Sequence, residues 1–240
     1  MIRQFLTAEW RDLAMLNFEI APDVLRPLVP AGTELDAWQG TTCVSVVGFR
    51  FVSTRVLGVA VPRHVDFEEV NLRFYVRRRA ADGWRRGVVF VRELVPRRLI
   101  AWVARLGYNE PYRVLPMRHV IDRRMNGTPV RLRYEWRRGR AWEWLALRVE
   151  GDAGLPGPES EAGFITEHYW GYTRQRDGGT VEYRVEHRPW RVWNATEPEL
   201  RCDPAELYGA PFAEALRSRP RSAFVAEGSP VTVFGPRGLV

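Results

Sequence analysis

From Val70 to Val76, within the segment FEEVNLRFYVR (Phe67–Arg77), apolar and polar side chains alternate without a break. A two-residue period is the mark of an extended strand with unlike faces, and a helix would scatter the same residues around its axis. Val70, Leu72, Phe74 and Val76 share one face; Glu69, Asn71, Arg73 and Tyr75 share the other. Similar extended patterns occupy Thr42–Phe51, Gly87–Val95 and Thr180–His187, and Val130–Arg138 with Arg140–Glu150 read as a hairpin around Gly139. Helical signals are fewer: Pro22–Val29, Arg97–Leu106, Pro204–Tyr208 and Pro211–Arg217. The chain therefore reads as mainly β (α+β), a closed or nearly closed antiparallel sheet with a few peripheral helices.

At 240 residues the chain fits one domain spanning residues 1–240. The Gly-, Pro- and acid-rich run Gly151–Gly163 reads as an exposed loop inserted into it. Near the C-terminus, Phe224–Val225 and Val231–Phe234 are expected to add edge strands.

All 36 basic side chains are arginine, and the sequence contains no lysine. A lysine imine and a P-loop lysine are both excluded. Between Arg73 and Arg140 there are 19 arginines against 5 acids, a balance of +14; the other residues hold 17 against 24, a balance of −7. Such asymmetry signals an anionic partner or the pairing of two faces within the molecule, and internal pairing is the favoured reading.

Cys43 and Cys202 lack metal-ligand spacing, and a disulfide between them stays open. No histidine pair has zinc-ligand spacing, and there is no dinucleotide fingerprint or nucleophile elbow, so neither a metal nor a cofactor is expected. Glu9, Arg11 and Asp12 fall where a signal peptide would need an apolar run, and no stretch approaches 18 apolar residues. The expectation is a cytoplasmic protein away from membranes; an oligomer is left open.

The polar stripe of Phe67–Arg77 has two readings, a face in water or the lining of a barrel interior. In the second, Glu69 exchanges protons, Arg73 grips a carboxylate with its planar fork and Asn71 orients the ligand. Enclosure would raise the pKa of Glu69 unless Arg73 lies close enough to oppose it. Arg92, Glu93, Pro96, Arg97 and Arg98 gather where a strand gives way to a helix, which reads first as a solvated basic turn and otherwise as a place that favours anions. Arg105 sits near that helix's end, where a cation suits the dipole. Tyr169, Trp170, Tyr172, Trp190 and Trp193 form an aromatic concentration around His168 and His187, which read first as structural histidines.

Leu25–Phe51 (LRPLVPAGTELDAWQGTTCVSVVGFRF), FEEVNLRFYVR, the Gly87 strand, AWVARLGYNEPY (Ala101–Tyr112), TEHYWGYT and VEHRPW together resemble the blocks of the YqjF-like family of unknown function, in the same order, from Phe5 to Trp193. That family is grouped with the acetoacetate-decarboxylase-like superfamily. The resemblance implies an antiparallel β cone or barrel enclosing a small-molecule cavity. Acetoacetate decarboxylases carry their imine-forming lysine in a pattern of Arg-Glu, a few residues, then Pro-Lys-Lys. Arg92-Glu93 and Pro96-Arg97-Arg98 look similar, with arginine in place of both lysines. Arginine stays protonated and forms no imine.

Three functions are therefore carried forward. The first is an enzyme without a Schiff base, of lyase or hydrolase type, acting on a small carboxylate or keto-acid. Glu69 and Glu93 would be its acid–base groups, and Asn71, Arg73, Arg97, Arg105, Tyr112 and Tyr169 would bind substrate. The second is a non-catalytic small-molecule-binding protein on the same scaffold. The third, disfavoured for want of any recognised motif, is nucleic-acid binding through the Arg73–Arg140 region.

Overall fold

The computed structural model describes residues 4–60, 65–96 and 111–239. Its strands are β1 (Gln4–Glu19), β2 (Glu34–Leu35), β3 (Cys43–Val56), β4 (Phe67–Ala80), β5 (Gly83–Val95), β6 (Tyr112–Val114), β7 (Met117–Arg123), β8 (Pro129–Arg138), β9 (Ala141–Gly154), β10 (Trp170–Arg174), β11 (Thr180–Glu186), β12 (Val192–Arg201), β13 (Ser222–Phe234) and β14 (Arg237–Gly238). The described helices are short: Pro22–Leu25, Glu161–Thr166, Pro204–Tyr208 and Ala213–Arg217. Arg97–Leu106, expected as a helix, lies outside the described residues.

The strands form one sheet that meets itself. Along the order β13-β1-β3-β4-β5-β10-β11 each strand pairs with the next, and β11 pairs back to β13 through Val185–Val233 and Glu186–Thr232. The ring is antiparallel except at β5–β10, a parallel junction in which Trp170 pairs with Gly87 and Gly171 with Val88. Gly87 has no side chain for a packing reason, since a Cβ there would lie 2.6 Å from the Trp170 carbonyl oxygen and the Tyr172 ring. Buried Glu182 pins the same junction, accepting from Arg78 of β4, Arg85 of β5 and Tyr172 of β10 at 3.1, 2.7 and 3.1 Å.

From β13 the sheet continues outward as β12-β9-β8-β7, a wing that folds over the ring. Between wing and ring lies a core to which β4 contributes Val70, Leu72, Phe74 and Val76, each wholly buried, against Leu132, Tyr134, Trp136, Leu145 and Leu147 of the wing. Burial of such side chains stabilises by about 1.5–3 kcal/mol each. Gly48 of β3 lets the layers approach, because a Cβ there would lie 2.7 Å from the Tyr134 ring. A second apolar cluster, containing Leu13, Met15, Val47, Phe49, Tyr75 and Val95, lies on the opposite face of the ring strands, inside the ring.

Several expectations change. The segment Gln4–Glu19 is one long strand whose alternation is broken by a bulge: its register shifts between Arg11 and Ala14, with Asp12 at φ 57°. Trp10 lies on the interior side before the bulge, and Leu13 and Met15 lie there after it. The run Gly151–Gly163 is not wholly loop, since β9 extends to Gly154 and Ser160 caps the helix Glu161–Thr166 by accepting from the Gly163 amide. The C-terminal apolar runs are not edge strands. They belong to β13, which bonds to β1, β12 and β11 and forms the seam of the ring. Cys43 and Cys202 are both free thiols. No described helix is long and apolar enough to cross a membrane.

Candidate functional site

The two-residue period of β4 sends its polar stripe into the ring, because the apolar stripe is taken up by the wing. Glu69 is 3% exposed, Asn71 2% and Arg73 9%. Asn71 Nδ2 donates to Glu69 Oε1 at 3.0 Å, and the Tyr112 hydroxyl donates to Glu69 Oε2 at 3.4 Å. Glu93, also buried, stands opposite Asn71 across β4–β5 and opposite Tyr112 across β5–β6. Four of the residues singled out in the sequence thus converge with Glu69 at their centre.

Burial pushes the Glu69 carboxyl up to about 7; the Asn71 and Tyr112 hydrogen bonds and the Arg73 charge pull in the other direction. A carboxyl poised there is half ionised near neutrality, the condition that suits a group asked both to take and to give a proton.

Arg73 is a buried cation. Its Nη2 donates to the Ile165 carbonyl at 3.4 Å, and the guanidinium carbon lies 5.8 Å from the centre of the Tyr75 ring. Among the described residues no carboxylate comes within 4.0 Å of it, and its Nε and the Asn71 Oδ1 have no hydrogen-bond partner. Burying a guanidinium with no carboxylate in direct contact is costly unless an anion joins it.

Further along the interior, Tyr75 shares a hydrogen bond with Ser45, which donates to Asn17 Oδ1 at 2.6 Å; Asn17 in turn donates to Ser222 at 2.9 Å. Burial raises the Tyr75 pKa. His168 packs against Tyr75 and Phe164, with ring centres 4.7 and 5.3 Å apart. Its Nε2 is 3.7 Å from Asp36, whose carboxylate is held by Arg86 at 2.7 Å, and neither ring nitrogen makes a hydrogen bond among the described residues. Burial lowers the His168 pKa to about 4, so the ring is neutral at pH 7.

Tyr169 is held elsewhere. Its hydroxyl donates to Glu167, and its ring lies 4.7 Å from His187, which stacks on Trp190 at 4.1 Å. Trp10 joins this group, 6.2 Å from Trp190 and 5.4 Å from Phe49. The aromatic concentration is thus split, with Tyr172 in the core under the wing and Trp190 inside the ring. Arg97 and Arg105 lie outside the described residues. Among the described residues no group of three or more His, Cys, Asp or Glu is placed to hold a metal ion.

Asn17, Ser45, Asp36 and Arg86 were not singled out in the sequence. The signal for Asn17 is its polarity at the phase of Leu13 and Met15, legible only once the bulge is located. Asp36 carries no comparable signal, because its partner Arg86 is fifty residues away.

Many arginines of the Arg73–Arg140 region meet acids from outside it: Arg77 with Glu34, Arg78 and Arg85 with Glu182, Arg86 with Asp36, and Arg123 with Asp12.

The sequence matches the family DUF2071, described as "Uncharacterized conserved protein (COG2071)", over residues 7–230. The "Uncharacterized protein YqjF" of Bacillus subtilis (strain 168) is 26% identical over 188 residues, 78% of this chain and 74% of that protein. The fold is similar to that of an acetoacetate decarboxylase from Legionella pneumophila subsp. pneumophila str. Philadelphia 1, with a TM-score of 0.70 at 12% identity over 98% of this chain and 87% of that one. An acetoacetate decarboxylase-like enzyme from Sphingomonas wittichii RW1 superposes with a TM-score of 0.65 at 16% identity, over 100% and 94%. The enduracididine biosynthesis enzyme MppR, complexed with pyruvate, does so at 0.67 and 12%, over 100% and 91%. These structural likenesses establish an acetoacetate-decarboxylase-like fold.

Proposed function

The chain belongs to the DUF2071 family, and from that premise we propose that the ring interior binds a small carboxylate or 2-oxo acid and moves a proton on it without a covalent imine. One observation carries this reading: Arg73 is a buried guanidinium with no carboxylate within 4.0 Å among the described residues, on the same strand face as Glu69, whose carboxyl is held at about 7. A carboxylate ligand supplies a directly contacting negative charge and fits the guanidinium fork. Glu69 then removes a proton from the carbon beside the ligand's carbonyl. Arg73 stabilises the enolate that forms, and Asn71 and Tyr112 hold the Glu69 carboxyl in place. The binding of pyruvate by MppR, an enzyme of like fold, supports a small 2-oxo acid as the ligand class. The absence of lysine removes the imine route.

The test is a thermal-shift titration with pyruvate and larger 2-oxo acids on the wild type, Arg73→Gln and Glu69→Gln. A ligand at one hundred times its Kd adds about 2.7 kcal/mol of stability. The expected result is a shift in the wild type and in Glu69→Gln, lost in Arg73→Gln, with exchange of the ligand's α-protons into heavy water lost in Glu69→Gln. No shift with any acid, or an undiminished shift in Arg73→Gln, defeats the reading. A shift with no proton exchange by the wild type favours a binding protein without chemistry.

A further inference from the structure

The sheet ends on the wing side at β7, and among the described residues no strand pairs with the outer side of that strand. Its backbone groups on that side are a ready template for another strand. The edge is neither short nor blunted by proline: it runs for seven residues, MRHVIDR, and Val120 at its middle is 50% exposed.

We infer that β7 is a dimerisation edge on which a second copy of this chain adds its own β7 antiparallel, joining two wings into one continuous sheet. The argument for a second copy, and not a foreign strand, is that the edge is complementary to itself. A two-fold axis perpendicular to the sheet pairs residues of the same face, so the axis passes beside a single residue. With the axis at Val120, Arg118 of each copy faces Asp122 of the other, giving two opposite-charge pairs flanking a Val120–Val120 contact. Moving the axis to Ile121 would set Arg118 against Arg124 and His119 against Arg123.

The side chains are already arranged for this register. Arg118, Val120 and Asp122 share the outer face of the wing, where Arg118 bonds to Glu135 and lies 4.0 Å over the Trp142 ring. The opposite face is engaged with the body of the protein: Arg123 bonds to Asp12, and His119 Nδ1 lies 2.7 Å from Glu68. Asp122 is exposed and has no ion pair within 4.0 Å among the described residues. An arginine from a second copy supplies one.

Sedimentation velocity on the full chain, from micromolar to near-millimolar concentration at low salt, tests this. The wild type should self-associate reversibly into dimers. Asp122→Arg places like charges opposite each other in both pairs and should weaken association by about tenfold. The double variant Arg118→Asp/Asp122→Arg reverses both charges together and should restore it. Because Arg118 also bonds to Glu135, amide exchange of the wild type gives a second reading: protection at Arg118–Asp122 should grow with concentration. A wild type that stays monomeric throughout, an Asp122→Arg variant that associates as the wild type does, or concentration-dependent protection confined to another surface overturns the inference.

Discussion

Asn71 donates to Glu69 across a single two-residue step of the same strand, Nδ2 to Oε1 at 3.0 Å, with both side chains buried. The hydrogen bond is insufficient to keep the carboxyl in its ordinary range, since burial still carries it to about 7. Folding therefore holds a proton on Glu69 that the unfolded chain gives up. Below about pH 4.5 both states are protonated and ionisation has no effect on stability. Between there and about 7 the unfolded chain binds fewer protons, so stability falls as pH rises, and above that the loss is complete. Glu69→Gln should be more stable than the wild type at about pH 8 by up to about 3 kcal/mol, the difference closing at about pH 4.5. Urea denaturation at both pH values measures it; an equal difference at the two would refute the assignment.

The same group should govern ligand charge. An ionised Glu69 repels a carboxylate bound at Arg73, whereas the protonated form does not. Affinity for pyruvate should therefore rise as pH falls through about 7 and flatten in Glu69→Gln. Calorimetric titration across that range checks this, and a pH dependence unchanged in the variant would rule Glu69 out as its source.

His168 works in the opposite sense. Its pKa is depressed to about 4, so the unfolded chain binds the extra proton as pH falls from about 6.5. The stability associated with the neutral ring is complete above about 6.5 and lost as pH drops towards 4. Because neither ring nitrogen is hydrogen-bonded among the described residues and the ring packs on Tyr75 and Phe164, His168→Phe should be neutral or stabilising at pH 7 and should remove this acid sensitivity. A variant that loses stability at pH 7 would mean that the imidazole makes a bond the geometry does not reveal.

Gly171 lies where β10 joins β5 and β11, and a Cβ there would stand 2.0 Å from the Tyr183 ring. Its φ is not in the left-handed region, so the penalty for a side chain is steric alone. Gly171→Ala should destabilise by about 2 kcal/mol and lower Tm by several degrees, with part of the loss recovered by Tyr183→Leu in the same chain. An unchanged Tm would show that the junction has room to spare.

Much of the candidate site was legible in a single strand. The alternation of Glu69, Asn71, Arg73 and Tyr75 against Val70, Leu72, Phe74 and Val76 is a local property, and it placed the first four on one face. Tyr112 and Glu93 joined them through strand pairing, which no local pattern encodes. The bulge at Asp12 hid β1 because one extra residue moves the apolar side chains to the other phase. Likewise the two apolar runs of β13 looked like edge fragments, because Gly228 and Ser229 interrupt the pattern between them; a Cβ on Gly228 would stand 1.9 Å from the Trp10 carbonyl oxygen.

The sequence by itself determined that β4 is an amphipathic strand and that no lysine imine can form, since side-chain period and functional-group inventory are properties of the chain. Only the tertiary structure decided that the polar face of β4 is the inner one. A two-residue period states that the faces differ, not what each will meet. Here the wing covers the apolar face and the ring encloses the polar one, so both are buried, and the contacts responsible join residues as distant as Val70 with Leu94 and Val185 with Val233.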